Sequence, residues 1–204
     1  DRHLLHYCRL LSRDGKYLAT VGNDRAAVLW DAATGTELRV FKGHGEYLSS
    51  VAFSPDGKTL ATGTGDATAR LWDLATGREL FVLKGHDAYV SAVAFSPDGK
   101  LLATAGMDHD ARLWDARTGE QILVLKGHTD HLGTLAFSPN GKLLATTSSD
   151  GTARLWNTRS GEELRVFKHE KYVLSVSFSP DGKRLATTSE DIVRLWDPAT
   201  GKET

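Results

Sequence analysis

Short apolar runs alternate with turn sequences along the whole chain, and this pattern predicts β-strands throughout. In the segment 43–84 we expect strands at 47–54, 59–64, 69–73 and 79–83, each rich in β-branched, aromatic or aliphatic residues. The tight turn Ser-Pro-Asp-Gly separates the first two strands, because proline presets φ and glycine accepts a positive φ. Since every connection is short, the four strands should pair as an antiparallel meander.

The same unit recurs along the chain. The five tryptophans lie 42, 42, 42 and 40 residues apart, and the segments 43–84 and 85–126 are identical at 26 of 42 positions. A period of about 40–45 residues is typical of four short strands per unit. One such sheet cannot bury both of its faces, so neighbouring sheets must stack. We therefore expect a single domain, 1–204, with repeats at about 1–42, 43–84, 85–126, 127–167 and 168–204.

Three motifs recur together in these repeats. Gly-His occurs at 43, 85 and 127, an aspartate lies six residues before the tryptophan, and Trp-Asp occurs at 30, 72, 114 and 196. Over essentially the whole chain, the combination resembles the WD-repeat β-propeller family in its bacterial-type arrays of similar repeats. The resemblance implies an all-β propeller of about five four-stranded antiparallel blades with an incomplete ring. The fourth strand of each blade would then be the outermost.

Both ends of the chain depart from the repeat. The last repeat stops before its fourth strand, so we expect a fragment of a larger protein; an open arc completed by another chain and a small closed ring are the alternatives. Open blade ends would expose apolar faces and favour self-association. In the first repeat Arg9 aligns with the core position of Val51, which predicts a frayed, shifted or exposed strand.

A histidine, a threonine, an aspartate and a tryptophan recur at similar spacing in four repeats. They would suit a hydrolase, but an enzyme needs one active site rather than four equivalent ones. The resemblance implies a buried network instead, in which the aspartate holds the imidazole, the imidazole bonds the threonine, and the threonine hydroxyl reaches the indole N–H. The sets are His44, Thr62, Asp66 and Trp72; His86, Thr104, Asp108 and Trp114; His128, Thr146, Asp150 and Trp156; and His169, Thr187, Asp191 and Trp196.

Three further expectations concern these networks. The first repeat lacks the histidine, because Arg2 lies at its position. The last repeat is shorter before its tryptophan, so Glu190 is an alternative to Asp191 at the turn. The arginines two residues before the tryptophans, such as Arg70, should pack along the blade with exposed charged heads.

Composition narrows the classes of function. Lys and Arg total 25 against 26 Asp and Glu, which argues against the basic stripe of a nucleic-acid binder. No apolar run approaches the roughly 20 residues of a membrane helix. The single cysteine, Cys8, excludes an intramolecular disulfide and suits a reducing, cytoplasmic compartment. We expect no catalytic, cofactor or metal site; His128 and His131 have metal-like spacing, but the network already uses His128.

Residues that differ between the repeats are the ones expected to form a specific binding surface. An aromatic residue follows each network histidine by three positions, either to anchor a partner or to staple the first strand. The residue before each network aspartate also varies. We predict a non-catalytic scaffold for protein or peptide partners; the alternative is the sensor or regulatory domain of a larger signalling enzyme with a kinase, protease-like or nucleotide-binding module. The partner-binding candidates are Tyr47, Tyr89, His131, Tyr172, Asn23, Met107, His109 and Glu190.

Overall fold

A computed structural model describes the backbone of residues 6–190 and 192–204, and the side chains from residue 10 onward within those ranges. This part of the chain contains β-strands and no helix, as the sequence predicts. The strands form five antiparallel sheets in chain order, four of them with four strands and the last with three. Each sheet is one blade. Within the described residues no helix is long and apolar enough to span a membrane.

Each blade repeats the same strand order. The first strands are β1 (His6–Leu11), β5 (Leu48–Phe53), β9 (Val90–Phe95), β13 (Leu132–Phe137) and β17 (Ser175–Phe178). The second strands are β2 (Tyr17–Gly22), β6 (Thr59–Thr64), β10 (Leu101–Gly106), β14 (Leu143–Ser148) and β18 (Leu185–Thr188). The third strands are β3 (Ala26–Asp31), β7 (Thr68–Asp73), β11 (Ala111–Asp115), β15 (Thr152–Asn157) and β19 (Val193–Trp196). The fourth strands are β4 (Glu37–Lys42), β8 (Glu79–Lys84), β12 (Gln121–Leu125) and β16 (Glu163–Lys168).

The blades stack face to face, and the core lies in the four interfaces between them. First strands of successive blades contact one another along the array, so they lie on its inner side. Each interface buries the tryptophan of one blade against the preceding blade; Trp72, for example, packs on Phe41 with ring centroids 5.7 Å apart. Trp30 belongs to the first blade and is only half-buried. Stacking therefore removes from water the apolar faces that a single sheet cannot cover.

A tight turn closes the lower end of each blade, with the sequence Ser-Pro-Asp-Gly in blades 2, 3 and 5, Ser-Arg-Asp-Gly in blade 1 and Ser-Pro-Asn-Gly in blade 4. In blade 2 the hydroxyl of Ser54 donates to Asp56 at 2.6 Å and accepts the backbone N–H of Thr59 at 2.9 Å. Gly57 takes the left-handed φ of +69° that the turn requires. The prolines also join neighbours, because Pro55 lies against Gly99 of the next blade. The same turn therefore fixes the chain reversal and the spacing of adjacent blades.

The two ends of the array are open. The last blade has three strands, and only a single bridge, from Glu203 to Trp196, begins a fourth. The sheets do not close into a ring in the described residues, so the alternative of a small closed ring is wrong. Fraying of the first strand is also wrong, because β1 pairs with β2 up to Leu11. Exposure is confirmed for Leu11, which is 55% exposed.

The first strand keeps the register of the other blades. Arg9 pairs with Thr20 just as Val51 pairs with Thr62 in blade 2. The pairing register shifts between His6 and Cys8, near the start of the strand. The alignment of Arg9 with a core position is thus confirmed for the backbone. Its side chain lies outside the described residues.

Candidate interaction face

Two loops meet at one end of each of blades 2, 3 and 4. In blade 2 these are residues 43–47, which contain the Gly-His pair, and 65–67, which join β6 to β7. We call this end of the array, with the equivalent residues of the other blades, the upper face. Backbone hydrogen bonds join the two loops, such as the N–H of Met107 to the carbonyl of Tyr89 at 2.8 Å. Residues that vary between repeats are therefore held beside one another.

Below the upper face, blade 3 contains the complete predicted network. The Nδ1 atom of His86 lies 2.8 Å from Oδ1 of Asp108, and its Nε2 atom lies 2.7 Å from the hydroxyl of Thr104. The indole N–H of Trp114 donates to the same hydroxyl at 2.9 Å. Because a carboxylate only accepts, Nδ1 carries the proton and Nε2 accepts from the threonine. Every polar hydrogen in this chain of bonds has an acceptor.

Blade 4 repeats this arrangement. The imidazole of His128 lies 2.8 Å from Asp150 through Nδ1 and 2.8 Å from Thr146 through Nε2. Trp156 donates to Thr146 at 2.9 Å. The imidazole and the carboxylate are 1% and 4% exposed, so the network is sealed from solvent. Both ring nitrogens of His128 are thus used within the network.

Blade 2 departs from the prediction. His44 reaches Thr62 at 3.2 Å, and Trp72 donates to Thr62 at 2.9 Å, but the buried Nδ1 of His44 has no hydrogen-bond partner. The predicted bond from His44 to Asp66 is wrong. The carboxylate instead accepts the hydroxyls of Thr64 and Thr68 and the backbone N–H of Gly45. The residues flanking Asp66 thus take the aspartate away from the imidazole.

The first and last blades contain parts of the network. In blade 5, His169 lies 2.8 Å from the hydroxyl of Thr187, which accepts the indole N–H of Trp196 at 2.8 Å. The predicted member Asp191 lies outside the described residues. Glu190 uses both carboxylate oxygens elsewhere, accepting from Lys171 at 2.6 Å and from the hydroxyl of Tyr172.

In blade 1 the indole N–H of Trp30 donates to Thr20 at 2.9 Å, while Asp24 is exposed. Arg2, at the position of the missing histidine, lies outside the described residues.

The arginines extend the networks, contrary to their predicted exposed heads. Arg112 donates to Gln121 at 2.8 Å and lies 3.4 Å from Asp108, with its side chain 10% exposed. Arg70 is placed in the same way, 2.6 Å from Glu79 and 3.6 Å from Asp66. The sequence contains an indication of this contact, because a glutamate or glutamine that can accept from the arginine follows the tryptophan by seven positions in these repeats. Those acceptors are Glu79, Gln121 and Glu163.

Burial lowers the pKa of two network histidines, His44 and His128. It lowers the pKa of His44 to about 4, aided by the charge of Arg70, while Asp66 opposes the shift. Burial also lowers the pKa of His128, although the hydrogen bond that its imidazole donates to Asp150 opposes the shift. The pKa of Asp66 falls to about 2, because hydrogen bonds from neighbouring hydroxyls outweigh the cost of burying its charge. At neutral pH the imidazoles of His44 and His128 are therefore neutral, and the carboxyl group of Asp66 is ionised.

The network geometry does not suit nucleophilic catalysis. The hydroxyls of Thr62, Thr104, Thr146 and Thr187 belong to side chains that are fully buried. Each accepts an indole N–H and contacts an imidazole, so its position is fixed by the fold. A nucleophile has to reach its substrate within hydrogen-bond distance. These hydroxyls hold neighbouring strands together.

Above the networks, candidate partner-binding residues of three blades form two contacting pairs, which are linked by the backbone hydrogen bond from Met107 to Tyr89. Tyr47 of blade 2 contacts Tyr89 of blade 3 with ring centroids 5.4 Å apart. On the other side of blade 3, His109 contacts His131 of blade 4 with centroids 5.3 Å apart. His131 also bonds the carbonyl of Met107 at 2.8 Å. We call these five residues the aromatic strip.

The other candidates lie on the outer blades of the upper face. Tyr172 is 42% exposed and bonds Glu190, so these two belong to one cluster in blade 5. Asn23 is exposed on the corresponding loop of blade 1. All eight candidates therefore lie at the same end of the array.

Most of the chain matches a known family of repeats. The family model described as "WD domain, G-beta repeat" matches residues 35–73, 77–115, 119–157 and 161–197, which together make up more than half of the chain. Each match begins before the fourth strand of one blade and ends with the third strand of the next, so a family repeat spans two blades. No curated protein matches the chain. On the family match, and on the blades and networks that accompany it, the chain belongs to the WD-repeat family.

Proposed function

We propose that this chain is a non-catalytic scaffold that binds a protein or peptide partner on its upper face. The observation that carries the proposal is the aromatic strip, which joins residues of three blades into one surface. WD-repeat domains generally mediate protein–protein interactions. Fold alone does not give function, so the proposal rests on the chemistry of this surface.

The strip has the properties of a binding surface. Tyr47 is 42% exposed and Met107 is 38% exposed, although both are large and partly apolar. Aromatic residues supply large contact areas with little loss of conformational entropy, and they are enriched at the energetic centres of interfaces. The loops beneath are held by backbone hydrogen bonds. A partner would therefore meet a surface that is already ordered, which reduces the entropic cost of binding.

The networks support the strip from below without taking part in binding. In blades 3 and 4 they tie the loop that precedes the first strand to the loop that follows the second. A cytoplasmic location is part of this proposal, since a chain with the single cysteine Cys8 suits a reducing compartment. Balanced charge likewise favours protein or peptide partners over nucleic acid.

Peptides selected from a random display library against the immobilised chain test the proposal. We expect Tyr47→Ala and Met107→Ala each to weaken the selected peptides by at least about tenfold, because both remove exposed contact area from the strip. The control is Ile122→Ala, which removes a similarly exposed apolar side chain from the outer strand β12. Peptides that bind the two strip variants as tightly as the unaltered chain would contradict the proposal. Unchanged melting temperatures would show that all three variants are folded.

A further inference from the structure

We propose that His109, Asp130 and His131 form a Zn²⁺ site that bridges blades 3 and 4 at the edge of the upper face. One ligand atom from each residue lies within 4.8 Å of the others. The site differs from the metal-like pair seen in the sequence, because both nitrogens of His128 are used within its own network. Zinc binding needs no partner, so the site stands independently of the proposed scaffold function.

His131 is prepared as a ligand by its backbone contact. Its Nδ1 atom lies 2.8 Å from the carbonyl oxygen of Met107, and a carbonyl can only accept. In the neutral ring Nδ1 therefore carries the proton, and the lone pair of Nε2 is free for a metal. Histidines that bind metals usually donate their other ring N–H in this way, which fixes both the tautomer and the orientation of the ring.

Asp130 is held beside this ring. Its Oδ1 atom accepts the backbone N–H of His131 at 2.7 Å and lies 3.9 Å from Nε2 of the same residue. The carboxylate side chain is 48% exposed, so its other oxygen can turn toward a bound ion without breaking that hydrogen bond.

His109 brings the third ligand from the neighbouring blade. It occupies the turn of blade 3 with a left-handed φ of +70°, and its ring meets that of His131 edge-on. The equivalent position of blade 4 is Gly151, with a φ of +78°. The turn itself thus requires this backbone conformation, and only blade 3 places an imidazole there.

Two imidazoles and one carboxylate are a donor set that selects zinc over hard cations. Imidazole nitrogen suits Zn²⁺ and its transition-metal neighbours, whereas Mg²⁺ and Ca²⁺ prefer oxygen ligands. Zinc bonds of about 2.0–2.2 Å would place tetrahedral ligand atoms about 3.3 Å apart. Because the three side chains lie at least partly in solvent, small rotations can close the present spacing. Three protein ligands leave the fourth position open for water.

Titration calorimetry of the whole chain with zinc chloride tests the proposal. We expect one zinc ion to bind the unaltered chain, and His109→Gly to weaken it by more than about tenfold. Glycine is the informative replacement, because it keeps the left-handed turn that blade 4 forms with Gly151. His131→Ala should weaken zinc to a similar extent. Magnesium chloride should give no binding heat in any of these proteins.

The double variant His3→Ala/His6→Ala is the matched control, since it removes the other two histidines whose sequence positions are not those of the network motif. It should bind zinc as the unaltered chain does. The proposal is overturned if the unaltered chain binds no zinc, if His109→Gly binds it equally well, or if only the double variant loses it. Zinc-dependent shifts of the His109 and His131 imidazole resonances, and of no network histidine, are the expected second readout.

Discussion

Blades 2 and 3 contain the same four network residues at the same spacing, yet their hydrogen bonds differ. His86 bridges an aspartate and a threonine, whereas His44 reaches only its threonine and leaves Nδ1 without a partner. Thr68, whose hydroxyl also bonds Asp66, does not account for this alone, because Thr152 makes the same bond in blade 4 and the network there is kept. A second difference lies two residues before the aspartate, where blade 3 has Gly106 and blade 2 has Thr64. The motif residues therefore do not determine the network by themselves.

The size and the hydroxyl of the residue two positions before the aspartate explain why the hydrogen bonds of blades 2 and 3 differ. A Cβ atom at Gly106 would lie 2.1 Å from Oδ1 of Asp108 and 2.4 Å from Nδ1 of His86, so only glycine permits this geometry without a shift. Thr64 has a Cβ, and its hydroxyl donates to Asp66.

Blade 4 shows that a Cβ alone does not break the network. Its residue at this position is Ser148, whose hydroxyl donates to the carbonyl of Asp130 at 2.9 Å. The carboxylate of Asp150 uses Oδ2 for His128 at 2.8 Å. The direction of the hydroxyl therefore decides whether the imidazole keeps its carboxylate. Threonine has fewer χ1 choices than serine, because it is branched at Cβ.

The largest expected effect comes from removing the two histidines in turn. His86→Ala should lower the free energy of unfolding by about 4 kcal/mol, because it removes one hydrogen bond from the buried carboxylate of Asp108 and one from the buried hydroxyl of Thr104. His44→Ala should cost about 2 kcal/mol, since it removes only the bond to Thr62 and none from Asp66. Urea unfolding followed by tryptophan fluorescence measures both. Equal losses would show that the missing bond in blade 2 has no energetic consequence.

A smaller effect is expected from giving blade 3 the residue of blade 2. Gly106→Thr should lower the free energy of unfolding by about 2–3 kcal/mol, because its Cβ displaces the carboxylate and its hydroxyl competes for it. The control is Gly106→Ser, which copies Ser148 and should cost less. Nuclear magnetic resonance should show the Nδ1 proton of His86 lost in the threonine variant and kept in the serine variant. The reverse pattern would contradict this account of the hydroxyl.

Some features of the blades and networks can be predicted from the sequence alone, and others cannot. The period of the tryptophans and the turn motifs predict the blades, because they fix strand length and chain reversal. The family resemblance implies the bond from Trp114 to Thr104, and these two residues lie on paired strands with a set register. It does not predict the partner of Asp66, since several donors compete for one carboxylate at short range. Nor does it bring together His109 and His131, which lie 22 residues apart in different blades.

The smallest change in stability, but a clear change in titration, is expected from Thr64→Ser. The serine hydroxyl should turn to a backbone carbonyl as Ser148 does, which frees Asp66 to bond Nδ1 of His44. An ionised partner favours the charged imidazole, so the pKa of His44 should rise from its value of about 4. The free energy of unfolding near neutral pH should change by less than about 1 kcal/mol. A titration of the His44 ring resonances measures the pKa.

The same variant should alter how the free energy of unfolding depends on pH. Proton linkage determines the direction of that change. Between the ordinary histidine value of about 6.5 and the folded value of about 4, the unfolded chain binds a proton at His44 that the folded chain does not. Stability therefore falls as the pH falls through this window. In Thr64→Ser the folded pKa is higher, so the loss on acidification should be smaller, while His128 and His169 contribute equally in both proteins. Thr59→Ser, at the start of β6, is the control that should leave the profile unchanged. If Thr64→Ser lost stability on acidification as steeply as that control, the competition for Asp66 would not explain the difference between the two blades.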